Sequence, residues 1–473
     1  MTDFWTHITW LALLDIVAVV IAIPAVLIIK KGATSPVAWC LIILFLPLLG
    51  SLLFWIFGYT YLHRPLRRKR KHRSRFRKHP PIDSKEQALD SCWKSLGRVA
   101  WELDEARPTS GNAVTLYSDT QEAFTAILDA MRAAQHHIHL EFYIIRDDQA
   151  GKEFVALLTE KARQGVKVRL QYDSLGAFFF GHRAVKQLIE AGGQVVPFLP
   201  LNLFRSRLRV NLRNHRKIIV VDGKVAFTGG MNIGDEYLGR SKTFGYWRDQ
   251  MLRIEGPSVD GLQRIIVEDW DFSAKELLQG DDYFPSQPKP GNALVQVVAS
   301  GPDQEVNVIR EVFFAAITSA QERVWIATPY FVPDEGILDA LHYARYKGVE
   351  VRLLMPEVCD HFTTWYASRY YWNDVLARGV EVYLYTKGMM HSKFMTIDGE
   401  IGIVSSANMD QRSLHLNFEA GCVLYDTNLA KSLEASFEED MKNARLVDRE
   451  SFAKRSFGER LAENFCRLFS PIL

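Results

Sequence analysis

Residues 214–232 read NHRKIIVVDGKVAFTGGMN, and residues 390–408 read MHSKFMTIDGEIGIVSSAN. One pattern, H-x-K-x4-D-x6-[GS]-[GS]-x-N, runs through both without a gap. The first copy supplies His215, Lys217, Asp222, Gly229, Gly230 and Asn232. The second supplies His391, Lys393, Asp398, Ser405, Ser406 and Asn408. With 13 histidines in the chain, chance places Lys at +2 and Asp at +7 roughly 0.03 times, so two copies are not accidental.

The repetition extends outward from these motifs. AAQHHIHLEFYII (133–145) parallels SAQERVWIATPYF (319–331). ARQGVKVRLQYD (162–173) parallels ARYKGVEVRLLMP (344–356), and EAGGQVVPF (190–198) parallels LARGVEVYLY (376–385). The offset is near 180 residues each time. In each unit a helix-period segment precedes a short β-rich run, with Gly165 and Gly348 where a helix should stop. The expected fold class is therefore α/β: two α/β units with a mixed or parallel sheet, related by a pseudo-twofold. The stretch PSQPKPG (285–291) is the expected boundary, giving units at 91–284 and 292–473.

The spacing carries a chemistry. Side chains two apart on a strand share a face, so H-x-K sets an imidazole beside an ammonium. The Asn at +17 can return on a neighbouring strand, and the small pair before it admits an oxyanion. Lys and Asn offer donors to phosphate oxygens without a metal. Asn232, Asn408 and Ser406 are the expected phosphate contacts. No metal or other cofactor is expected, because the histidines lack HExxH-type spacing. Two such units can face two histidines across one phosphorus, one attacking while the other transfers protons. A carboxylate should orient each ring: Glu419, 28 residues after His391, in the second unit, and Asp249, 34 residues after His215, in the first. Asp222 and Asp398 complete the catalytic motif. Each sits in a V-D-G or I-D-G turn, so its expected part is fixing the hairpin rather than touching substrate.

The N-terminus has another character. Residues 8–29 carry one ionisable side chain, Asp15, and residues 37–57 carry none. Each stretch is long enough to cross a hydrocarbon core of about 30 Å, so 1–60 reads as a transmembrane hairpin preceding the α/β units. Asp15 lies toward one end of its helix and reads as an interfacial or protonated carboxyl. Residues 64–78 hold ten Lys or Arg and no acid, within a basic juxtamembrane segment and linker at 61–90. The positive-inside rule places the chain beyond the hairpin in the cytoplasm, with contact to anionic headgroups as a compatible second use of the basic run. A cleavable signal peptide does not fit, since Asp3 is the only early charge.

Composition narrows the classes. The 473 residues carry 57 Lys+Arg against 55 Asp+Glu, and without the basic run 47 basic residues face 55 acidic ones. A globular part at −8 argues against nucleic acid as a partner. Five scattered cysteines without CxxC exclude a disulfide scaffold and suit a reducing compartment. PFLPLNLFRSRLRVNLR (197–213) mixes Leu and Phe with Arg. It reads equally as a loop at an anionic interface or as a buried segment, and Phe178–Phe180 is similar. Leu461, Phe465, Leu468 and Ile472 fall at helical spacing and read as core packing.

From about Leu116 onward the doubled HKD motif resembles the phospholipase D superfamily. Within it the chain is most similar to bacterial cardiolipin synthases, on EFYII (141–145), NHRK (214–217), TPYFVPD (328–334), MDQRSLHLNFE (409–419) and RLFSPIL (467–473). Ser405-Ser406 stands where that family places Gly-Ser or Gly-Thr. The resemblance implies two phospholipase D-like units and phosphatidyl transfer: two phosphatidylglycerols give cardiolipin and glycerol, through a phosphatidyl-histidine. His215 would be the nucleophile and His391 the acid and then base. It further implies a multi-pass protein of the bacterial inner membrane with anionic phospholipids as partners. The alternatives are a hydrolase giving phosphatidic acid, a nuclease, and a non-catalytic membrane scaffold. Intact motifs argue against the scaffold.

Overall fold

The structure, a computed structural model, describes residues 2–29, 34–55, 93–104, 106–178, 180–200 and 211–473. The basic run at 64–78 and the linker after it lie outside the described residues. So do Leu201, Leu203, Phe204, Arg205, Arg207 and Arg209 of the expected interfacial loop, and Phe179. Two compact units are distinguished, one holding the N-terminal helices and Asn211, the other the described residues of 93–200 and 212–473.

The N-terminal unit has a helix Thr2–Ile29 of 28 residues, then shorter helices Thr34–Phe45 and Pro47–Leu53. The second expected span is thus divided. Pro47 restricts the residue before it, and Leu46 leaves the helical region at φ −133°, ψ 72°. Ala22, Val26, Ile43 and Phe54 form a small core, with Trp39 and Trp55 each 5.6 Å edge-on from Phe54. Leu13, Ile16, Val20 and Leu27 face outward, as do Leu41, Phe45 and Leu52. Among the described residues no helix is long and apolar enough to cross a membrane.

The second unit is built on one continuous sheet. Its strands are β1 (Thr109–Asp119), β2 (His137–Phe142), β3 (Lys167–Asp173), β4 (Gln194–Phe198), β5 (Ile218–Val221), β6 (Val225–Gly229) and β7 (Tyr246–Glu255) in the first half. The second half contributes β8 (Ala293–Ser300), β9 (Arg323–Ala327), β10 (Phe331–Val332), β11 (Glu350–Pro356), β12 (Glu381–Tyr385) and β13 (Gly388–Met390). It continues with β14 (Phe394–Ile397), β15 (Ile401–Ser405), β16 (Met409–Asp410), β17 (Glu419–Tyr425) and β18 (Ala444–Leu446); β10 and β16 form a separate two-stranded parallel pair. The order β4-β3-β2-β5-β6-β7-β1 in the first half is repeated as β12-β11-β9-β14-β15-β17-β8 in the second. β1 and β8 pair antiparallel and join the halves. β2, β3 and β4 are parallel, as are β9, β11 and β12, while β5–β7 and β14, β15 and β17 are antiparallel. The sheet is therefore mixed, and the sequence repeat is a structural one.

Helices cover both faces. Val308–Ser319 and Glu335–Tyr346 pack on one face of the second half. Val259–Ala274 and Thr427–Met441 pack on a core shared between the halves, where Ile218, Leu252 and Ile254 meet Phe394, Val404 and Leu424. Gly165 and Gly348 follow helix ends at φ +90° and +89°, a conformation a side chain disfavours.

Two expectations change, and the segments read two ways divide. The helix Lys94–Asp104 belongs by sequence to the first unit, yet Leu96 and Ala100 pack with Val308, Val312 and Ala316 of the second. Trp93 Nε1 also donates to Glu400 of the second half at 2.7 Å. The C-terminal apolar series is not core: Leu461 and Phe465 are each 59% exposed and Leu468 is 72% exposed. In the segments read two ways, Leu199, Arg213 and Phe180 are buried while Phe178 is exposed.

Candidate active site

Both H-x-K motifs enter the sheet just before an antiparallel hairpin, β5–β6 in one half and β14–β15 in the other. Each is held at its start by the opposite half. The His215 amide donates to Phe418 O at 2.9 Å, and the His391 amide donates to Arg248 O at 2.7 Å. β13 pairs parallel with β7 across the halves, matching Met390 to Arg248, while Asn214 bridges to Phe418. The residue after each of those carbonyls is a carboxylate. His215 Nδ1 therefore lies 3.0 and 3.1 Å from the two oxygens of Glu419, and His391 Nδ1 lies 2.7 Å from Asp249 Oδ2.

The same-unit assignment of these carboxylates is thus reversed. Glu419 of the second half meets His215 of the first, and Asp249 of the first meets His391 of the second. An Nδ1 engaged by a carboxylate leaves Nε2 of each ring for chemistry.

The lysines lie within the same cluster. Lys393 Nζ is 3.0 and 3.2 Å from the ring nitrogens of His391, and Lys217 Nζ donates to His215 O at 2.6 Å. Each ammonium feels both Glu419 and Asp249, so the two motifs converge on one site.

Burial dominates the electrostatics. It pushes the His215 imidazole down to about 4 against the pull of Glu419. Burial and then Lys393 lower His391, so both rings favour the neutral form. Burial also brings Lys217 down to about 7 and Lys393 to about 8. Glu419 falls to about 2 although burial opposes it, through His215 and then Lys217 and Ser406. Asp249 is lowered likewise, against burial, by Lys393 and His391.

The small pairs have a different part from the one expected. Ser406 Oγ donates to Glu419 and accepts from the Ala420 amide at 3.0 Å, so its hydroxyl supports the carboxylate rather than facing a phosphate. Gly230 holds the matching place, its amide donating to Gln250 O at 3.1 Å as that of Ser406 donates to Ala420 O at 2.8 Å. A Cβ on Gly230 would sit 2.1 Å from Asp249 Oδ1. The shorter carboxylate faces the residue without a side chain, and the longer one faces Ser.

Asn232 and Asn408 follow β6 and β15. Asn232 Oδ1 accepts from the Ile144 amide at 3.2 Å. Asn408 donates to Asp410 at 3.0 Å, and its buried Oδ1 has no partner among the described residues. Asp222 and Asp398 are not brought to the histidines. Each lies across its strand, roughly 20 Å away at about 3.3 Å per residue. Asp222, at φ +53°, accepts from the amides of Gln135, His136 and His137, each at 2.8 Å. Asp398, at φ +54°, accepts from Gln321, Glu322 and Arg323, each at 2.8 Å. Their place is structural, tying each hairpin to the start of β2 or β9.

The sequence assigns no part to several neighbours of the histidines, although Glu141, Tyr143, Asn214 and Arg216 fall within EFYII and NHRK. Tyr143 stands edge-on to His215 at 4.9 Å, and Trp247 lies 5.0 Å from His391. The Asn214 amide donates to Asp173 at 2.9 Å, and the Asn214 side chain donates to buried Glu141. Buried Arg216 pairs with Asp269 and donates to Glu419 O at 3.1 Å. Among the described residues no group of three His, Cys, Asp or Glu could hold a metal ion.

A family model described as "Cardiolipin synthase, PLD-like domain" matches residues 127–254 and 313–441, one stretch in each half. The chain is 40% identical to a cardiolipin synthase of Geobacillus kaustophilus over 94% of its own length and 90% of that relative's. It is also 40% identical to a cardiolipin synthase of Geobacillus thermodenitrificans, with the same coverage. The fold is shared with a phosphatidylserine synthase from Haemophilus influenzae, at 16% identity and a TM-score of 0.62. That likeness covers 80% of this chain and 100% of the other.

Proposed function

The chain belongs to the cardiolipin synthase family with PLD-like domains, and on that premise we propose that it transfers a phosphatidyl group between two phosphatidylglycerols, releasing glycerol. His215 Nε2 attacks phosphorus, and the bond from phosphorus to the glycerol oxygen breaks. His391 gives its Nε2 proton to the departing oxygen. A second phosphatidylglycerol then gives a hydroxyl proton to His391, its oxygen attacks phosphorus, and the bond to His215 breaks. Atoms and protons balance, and the enzyme returns to its starting state.

The observation that carries this reading is the crossed pairing, which holds two imidazoles by Nδ1 in one buried site. His215, neutral through burial, has a lone pair to attack with. His391 must be protonated to act as acid. Asp249 at 2.7 Å and the negative charge of a bound phosphodiester both favour that form. Lys217 and Lys393, with Asn232 and Asn408, supply donors for the phosphate oxygens. Glu419 and Asp249 position the rings.

The N-terminal segments fit a membrane hairpin in a bacterial inner membrane. The first helix is 28 residues long, and its outward side chains are apolar. The basic run then sets the catalytic part on the cytoplasmic side. The two phospholipase D-like domains divide near PSQPKPG, with Lys94–Asp104 assigned to the second.

The test is a lipid assay with purified full-length protein in mixed micelles containing EDTA. Labelled phosphatidylglycerol should give cardiolipin and glycerol, and His215→Ala and His391→Ala should each abolish both. Phosphatidic acid as the sole product would identify a hydrolase instead.

A further inference from the structure

The C-terminal helix Phe457–Arg467 is turned inside out. A helix on a protein in water buries its apolar stripe and exposes its charges. Here Glu463 is 1% exposed and pairs with Arg369 at 3.0 Å and Arg455 at 2.8 Å, and Cys466 is buried beside it. Phe457, Leu461, Phe465 and Leu468, at helical spacing, face outward together. The neighbouring helix Phe362–Ala377 packs against this one and adds exposed Phe362, its ring tilted against Tyr366 at 4.6 Å. Scattered exposed apolar residues need no explanation, but a contiguous set on a helix that hides its own carboxylate does.

Charge and position identify what covers it. Both acids of the helix are paired: buried Glu463 as above, and partly exposed Glu459 with Arg369 at 3.2 Å. Arg460 and Arg467 are exposed along one edge of the apolar stripe, Arg467 stacking over Tyr370 at 4.5 Å. The buried side of the helix packs on elements that border the active site. Cys466 packs on Val332 and Ala367, and the strand holding Val332 pairs with β16, which begins one residue after Asn408. Asp360, just before Phe362, accepts from Tyr330 Oη at 2.7 Å, and its charge is felt at His391 and Lys393.

We propose that the outward face of the helix Phe457–Arg467, with Phe362, seats on the surface of an anionic lipid bilayer beside the active site. An apolar stripe edged by arginines is the pattern of a helix lying in the headgroup region. The inference deepens the proposed lipid chemistry and rests on it: a site acting on diacyl lipids needs a face from which such a lipid can leave the bilayer without crossing water.

The test uses the full chain in bilayers of phosphatidylglycerol and phosphatidylcholine, with a benzophenone amino acid at Phe465, at Leu468, or at exposed Ala435. Ala435 lies on Thr427–Met441, whose core is separate from that of the Phe362–Ala377 helix. Irradiation should give lipid adducts at Phe465 and Leu468 and not at Ala435. Adducts to a second copy of the chain alone, or equal lipid yield at Ala435, would overturn the proposal. A second arm uses Leu461→Asp/Phe465→Asp/Leu468→Asp. Turnover of long-chain lipid in vesicles should fall at least about tenfold, with turnover of water-soluble dihexanoyl-phosphatidylglycerol unchanged. Equal loss on both substrates would assign the face a structural part and overturn the proposal. Adduct formation does not require turnover, so lipid adducts on a protein that makes no cardiolipin would refute the proposed reaction while supporting the docking face.

Discussion

His391 Nδ1 lies 2.7 Å from Asp249 Oδ2, a carboxylate 142 residues earlier in the chain and in the opposite half of the sheet. Glu419 meets His215 across 204 residues in the same way. Neither half holds both members of either of these two pairs, so the site exists only when the halves are joined.

The crossing assigns each carboxylate to one chemical step. A phosphatidyl ester of p-nitrophenol has a leaving group that needs no proton, so it isolates nucleophilic attack. With it, His391→Ala and Asp249→Asn should keep a stoichiometric burst of nitrophenolate, while His215→Ala and Glu419→Gln lose it. On phosphatidylglycerol, Asp249→Asn and Glu419→Gln should each lower kcat about 10–100-fold. Stopped-flow absorbance reads the burst, and its loss in Asp249→Asn would count against the assignment.

Gly230 and Ser406 should respond in opposite ways to exchange. Gly230→Ser puts a Cβ where Asp249 Oδ1 stands 2.1 Å away, displacing the carboxylate from His391. Transfer should fall about 100-fold. Ser406→Gly removes one hydrogen bond to Glu419 and should cost about tenfold or less. Steady-state assays of the two variants side by side check the ordering.

Asp222 and Asp398 should matter for stability rather than chemistry. Each accepts three backbone amides, so replacement by Ala should cost about 2 kcal/mol or more and lower Tm. Asn tolerates the left-handed backbone and should recover part of the loss. Calorimetry with activity measured well below Tm separates the effects: kcat should stay within about threefold of wild type.

The pH profile is set by burial. Attack needs neutral His215, so kcat/KM should fall as pH drops through about 4. Leaving-group protonation needs the imidazolium of His391, which burial disfavours, and phosphate binding needs the ammonium forms of Lys217 and Lys393, so kcat/KM should also fall as pH rises, the lysines adding their loss past about 7 to 8. On that limb KM should rise more than kcat falls, because the anionic lipid itself favours protonated lysine once bound. A flat alkaline limb would contradict the assigned part of the lysines.

The doubled motif made the repeat and the two H-x-K pairs legible because the copies are gapless, although each H-x-K lies just before its strand, which starts at Ile218 or Phe394, rather than on it. The crossed carboxylates were not legible from spacing. Glu419 and Asp249 lie close enough in sequence to their own half's histidine to suggest a same-half pair. The deciding contact is the pairing of β13 with β7, between segments far apart in the chain. Ser406 misled for a similar reason, since its hydroxyl is claimed by Glu419 rather than left for substrate. The C-terminal stripe showed helical spacing, but spacing identifies a face and not what the face meets. Only the inward ion pairs of Glu463 reveal that the helix turns its apolar side outward.

The most direct measurement is a rapid quench of the full-length enzyme with labelled phosphatidylglycerol, followed by peptide mass spectrometry under conditions that preserve phosphohistidine. The account predicts a phosphatidyl adduct on His215 Nε2 that forms and decays at rates compatible with turnover. An adduct on His391 instead, or cardiolipin formation with no histidine adduct at any time, would contradict it.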